Sequence, residues 1–183
     1  PARVQDFLSQ LKGRPVRLPK EIMRLGDTHY RGLAEGHLYD MTLHGAFRTG
    51  IGVITTDGRL ESDTSFSHIR YNAHVVGKRL RLGRLVGHAA LQSATIDIRS
   101  KGEIEEGQIN GDIDAHVRDL TYNGYSYKAI QIHGHYTPKR YQGNLSIADE
   151  HLNMEFSGLV DLREKFSEVN CDLICRHFDA SPL

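Results

Sequence analysis

Eleven histidines are the residues of this chain most able to do chemistry. The best pair is His133-Gly134-His135. At i and i+2 on a strand, two imidazoles point to one face, as zinc or iron ligands can. They share that face with polar neighbours, as do His44, His74 and His116, so the sequence reads them as solvated strand histidines. A third ligand needs cross-strand register to place. No Gly-x-Ser-x-Gly nucleophile elbow and no phosphate-cradling glycine loop occurs, and Gly50-Ile51-Gly52 fits a hairpin rather than a strand entering a helix. Glu103, Glu105, Glu106, Asp112 and Asp114 fall at strand ends or on the wet face, where solvated charge is the default. Cys171 and Cys175, on one strand, would have Cα atoms roughly 13 Å apart, beyond the reach of about 7 Å that a disulfide allows. They read as small apolar fillers. Catalysis, a metal and a cofactor are therefore not expected.

The elements that carry these residues have a period of two. Met41, Leu43, Gly45 and Phe47 share one side against Thr42, His44 and Arg48. The pattern recurs in Ile69, Tyr71, Ala73 and Val75, in Ile96 and Ile98, and in Ile109, Gly111, Ile113, Ala115 and Val117. It continues in Ile130, Ile132, Gly134 and Tyr136, in Leu152, Met154, Phe156, Gly158 and Val160, and in Val169, Cys171, Leu173 and Cys175. Such runs bury one face of a strand and wet the other. Thr56-Asp57-Gly58, Lys101-Gly102, Glu106-Gly107, Tyr122-Asn123-Gly124, Thr137-Pro138 and Asp149-Glu150 read as the turns between them. Turns this short join antiparallel neighbours, so the expectation is a meander of about ten strands. Leu80 to Gly87 has helix-like spacing and predicts a short helix at the edge or mouth of the sheet. Val4, Phe7, Leu8 and Leu11, followed by Leu18 to Met23, predict an N-terminal helical segment over 1–24, with the sheet over 25–183.

Composition narrows the function. Lys plus Arg and Asp plus Glu are both 23, and the basic residues are scattered along the chain. Neither fact points to nucleic acid or to an anionic membrane surface. No run of about 18 apolar residues exists to span a bilayer as a helix, and Pro1-Ala2-Arg3-Val4 shows no signal-peptide pattern. A twisted sheet of ten strands, apolar on one face and with little helix to cover it, must fold that face onto itself as a barrel, a sandwich or an open trough. Glycines standing two residues before an apolar one on the same face (Gly45, Gly111, Gly134, Gly143, Gly158) suggest either a sharply curved sheet with room inside or simple accommodation of large neighbours.

Several stretches resemble the TamB family of the AsmA-like superfamily, the inner-membrane component of a translocation and assembly module. They are Arg24-Leu25-Gly26 with Tyr30-Arg31-Gly32, Gly36, Asp40, Gly45, Thr49-Gly50, Gly52 and Thr56-Asp57; Leu82 to Gly87; Tyr125 to Tyr136; Tyr141 to Asp149; and Met154 to Leu162. The resemblance covers most of Gly26 to Leu162 in degenerate motifs of Gly, Asp and alternating apolar residues. It implies a periplasmic, taco-like open β-groove belonging to a protein anchored in the inner membrane. It also implies carriage of phospholipid toward the outer membrane, or support of outer-membrane protein assembly and secretion through a barrel partner. Neither an anchor helix nor a C-terminal docking end is evident, which casts the chain as a middle section.

The all-β fold class expected is thus a long antiparallel meander curled into an open β-groove, with a short N-terminal helix and a short inserted helix. The expected work is non-catalytic shielding of phospholipid acyl chains. The expected lining is Ile96, Ile98, Ile113, Val117, Ile130, Ile132, Leu145, Ile147, Met154, Phe156 and Val160. An alternative with the same alternation is a closed β-barrel or jelly-roll module that binds a small apolar ligand or a sugar. A third reading is an adhesive or scaffolding β-module whose inner face packs tight.

Overall fold

The structure is a computed structural model that describes residues 23–163 and 166–181. Ten strands form one antiparallel sheet in sequence order: β1 His29–His37, β2 Asp40–Thr49, β3 Gly52–Ser62, β4 His68–Leu80, β5 Leu91–Glu105, β6 Gln108–Tyr122, β7 Tyr125–Thr137, β8 Arg140–Ala148, β9 Leu152–Arg163 and β10 Phe166–Phe178. A helix of five residues, α1 Leu82–Val86, joins β4 to β5 and ends on Gly87 in the left-handed region. The expected all-β meander and inserted helix are therefore present. Most of the expected N-terminal helical segment lies outside the described residues.

Hairpin chemistry explains why the chain keeps doubling back. Glu106-Gly107 and Asn123-Gly124 both have positive φ at each central residue, as a two-residue type I′ turn requires. Pro138-Lys139 turns with only Lys139 at positive φ, which suits a proline-led turn. Two expected turns are corrected. Thr56-Asp57-Gly58 lies inside β3, where Asp57 sits between His44 and His74 and Gly58 between Leu43 and Ala73. Lys101-Gly102 lies inside β5, with Gly102 opposite Gly111. Turn-prone residues stay extended here because the neighbouring strands satisfy their backbone groups, and His44 Nδ1 reaches an Asp57 carboxylate oxygen at 3.0 Å.

The sheet does not close. Among the described residues β1 pairs only with β2 and β10 only with β9, so neither outer strand is joined to the other. A closed barrel needs those edges joined, and a jelly roll needs two sheets. That alternative architecture is overturned. Only Ile51, Leu80, Ala94, Ala115, Tyr127 and Ile130 are buried apolar side chains among the described residues. The tight packing sits at the α1 end. There a bulge between Gly77 and Leu80, with Arg79 at positive φ, swings Leu80 over Gly77 and Gly52.

Candidate functional site

Register decides which side chains meet. Directly paired residues of an antiparallel ladder point to the same face, and every alternating run lands on one side. Crossing the sheet from β4, one row reads Gly77, Ile96, Val117, Ile130, Ile147, Met154 and Cys175. The next reads Val75, Ile98, Ala115, Ile132, Leu145, Phe156 and Leu173. Most of the expected lining residues fall in these two adjacent rows, while Ile113 lies one row further and Val160 two. The rows form an apolar lane. From β4 to β10 it crosses six interstrand spacings of about 4.8 Å, roughly 29 Å in all. Ala115 and Ile130 are buried, Leu173 and Cys175 on β10 are exposed, and the other apolar side chains of the lane are half-buried.

One border of the lane is the packed cluster of Ile51, Leu80 and Ala94. The other is a row of tyrosines laid over glycines, a feature the sequence reading did not assemble. The Tyr71 and Tyr136 hydroxyls meet at 2.5 Å above the Gly102–Gly111 pair, and Ser100 Oγ lies 3.0 Å from Tyr136. A Cβ on Gly111 would come within 2.5 Å of the Tyr71 hydroxyl. Burial pushes the Tyr71 hydroxyl pKa up to about 12, aided by the neighbouring Tyr136.

A second arrangement occurs twice. Tyr30 lies over the Gly32–Gly45 pair and donates to the carbonyls of Leu33 and His44. Tyr141 lies over Gly134–Gly143 and donates to Asn144 and His133. Both follow Tyr-x-Gly on one strand and His-Gly on its neighbour, a spacing legible in the sequence once register is known. The glycines therefore accommodate large neighbours. The room expected above them is taken by rings.

The opposite face is polar, with histidines, carboxylates and an arginine side by side across the strands. Its central row runs His44, Asp57, His74, Arg99, Asp114 and His133. His74 bonds Asp97 at 2.7 Å, and His135 Nδ1 bonds Asp112 at 3.0 Å. That second bond holds the Asp112 carboxyl below its ordinary range. His133 and His135 border a hollow of about 580 Å³ with Asn72, Arg99, Lys101 and Asp112. Among the described residues, no group of three or more His, Cys, Asp or Glu converges as a metal site would require. Cys171 and Cys175 are free and exposed on β10. The expectation that they fill a core is corrected, because no strand among the described residues lies beyond β10 to cover them.

Comparison with family models, with curated proteins and with solved structures returned no match. No helix among the described residues is long and apolar enough to cross a membrane.

Proposed function

We propose that the apolar lane is a contact surface for phospholipid acyl chains. In this reading the chain is a non-catalytic, periplasmic β-groove segment of a TamB- or AsmA-like protein. It would shield acyl chains in transit toward the outer membrane, or support outer-membrane protein assembly and secretion. The observation that carries the proposal is the pair of continuous rows led by Ile96 and Ile98, which keep apolar side chains adjacent over strand after strand. Among the described residues, no second sheet lies over them. A lane of roughly 29 Å matches the thickness of a bilayer's hydrocarbon core, about 30 Å. Each acyl methylene moved from water onto such a surface contributes up to about 0.8 kcal/mol. Equivalent positions along the lane would let a chain slide without passing a deep minimum, which suits carriage rather than storage. The sheet's free edges fit a groove better than a sealed pocket.

The test is photo-crosslinking from position 156 in cells, with mass spectrometry of the attached species. Phospholipid adducts are expected, and adducts to protein alone would favour the assembly role over lipid carriage. Ile132→Arg or Phe156→Arg should weaken acyl-chain binding by about 2–4 kcal/mol, the cost of an arginine facing lipid on a β-barrel wall, while the protein still folds. Undiminished lipid binding by both variants would remove the lane from consideration.

A further inference from the structure

Charge neutrality over the whole chain does not stop three arginines from gathering at one end of the sheet. Arg59 is answered by Asp40 and Glu61, Arg163 by Asp161, and Arg176 by Glu155. The arginines around α1 have no such partner. Arg81 and Arg84 both donate to the Gly50 carbonyl, at 2.9 and 3.1 Å. Their guanidinium nitrogens are thus within about 6 Å of each other, close enough for like charges to repel. Arg24 joins them from the other side, donating to the Leu85 carbonyl at 3.0 Å and lying against Gly87. No carboxylate among the described residues pairs with any of these arginines, and all are exposed. Each guanidinium carries five N–H donors in a fixed fork and uses only one side on a carbonyl. Val86, at the end of the same short helix, is 50% exposed.

We propose that this end of the sheet docks on an anionic phospholipid bilayer, with Arg24, Arg81 and Arg84 on headgroup phosphates and Val86 entering the interface. Guanidinium forks match phosphate oxygens, and clustered cations beside an apolar side chain suit a charged lipid surface. Binding here uses headgroup charge and stands apart from the acyl-chain lane.

Vesicle flotation of the 183-residue chain tests the idea, using phosphatidylcholine alone and phosphatidylcholine mixed with phosphatidylglycerol. Binding is expected only to the mixed vesicles and should fall as salt rises. Arg81→Gln with Arg84→Gln should weaken it about twenty-five-fold, at roughly fivefold per arginine near an anionic surface. Arg59→Gln with Arg176→Gln, which removes the same charge from paired positions, should leave it close to the parent. Circular dichroism confirms that each variant folds. Phe156→Asn, which disrupts the lane without changing charge, should still float, which separates this site from the lane. Equal binding to both vesicle types, or equal losses in the two double variants, would overturn the proposal. Complete displacement by inorganic phosphate at constant ionic strength would also overturn it, by assigning the arginines to a free anion.

Discussion

Tyr71, Tyr136 and Ser100 place hydroxyls on an otherwise apolar face, and their mutual bonds make that tolerable. Tyr136→Phe leaves the Tyr71 hydroxyl only the longer contact to Ser100, at 3.4 Å. A loss of about 1 kcal/mol in denaturant unfolding is expected. Gly111→Ala should cost more, about 1–3 kcal/mol, because its methyl would meet the Tyr71 hydroxyl and the Lys101 carbonyl. Burial also gives Tyr71 an alkaline signature. Its folded pKa of about 12 stands above the unfolded value of about 10, so its contribution is complete below about pH 10 and is lost as pH rises toward 12. Absorbance titration at the phenolate band should show Tyr71 ionising after the solvent-exposed tyrosines, together with Tyr125 and Tyr141, which are also raised, and Tyr71→Phe should lower the amplitude of that late rise by one phenolate.

At the scale of elements, the corner between β8 and β9 hangs on one carboxylate. Asp149 is buried, and burial alone would raise its pKa. The Tyr125 hydroxyl, the His151 N–H and the Lys128 N–H all donate to it and hold its pKa below the ordinary range. Its stabilising effect is therefore full above the unfolded carboxylate value near 4 and disappears as pH falls through the lowered value. Asp149→Ala should cost roughly 2 kcal/mol at neutral pH and shrink the acid-induced loss of stability measured by denaturant midpoints. Asp179, at about 2 through the Ser181 N–H and hydroxyl and His151, extends that acid limb further down. On β10, Cys171 and Cys175 should both react with a bulky maleimide in the native protein. Modification of neither without denaturant would mean that another chain covers this strand.

For the whole molecule, the open edges matter most. The edge strand β10 carries Val169 at 62%, Leu173 at 59% and Ile174 at 51% exposure, with no proline to block pairing. An edge this long and apolar is a template for another strand. The isolated chain should associate with rising concentration in sedimentation velocity runs, and Leu173→Lys with Ile174→Lys should keep it monomeric. A parent that stays monomeric at high concentration would contradict the expected pairing.

The alternation of apolar and polar residues is a local property of the chain. It determined the antiparallel meander and its one-sided apolar rows, while helix-like spacing marked the inserted helix near Leu82. Type I′ turns at Asn123-Gly124 and Glu106-Gly107 were equally legible, since positive φ selects their residues. Thr56-Asp57-Gly58 and Lys101-Gly102 misled because turn propensity is weak against ladder pairing on both sides. Tertiary structure alone decided what depends on partners far away in sequence. Tyr71 meets Tyr136 across 65 residues, and Arg24 meets Leu85 across 61. It also decided that the sheet does not close among the described residues and that Arg24 joins Arg81 and Arg84 at one end. Register sets those meetings, and register is the sum of many pairings that no single stretch of sequence contains.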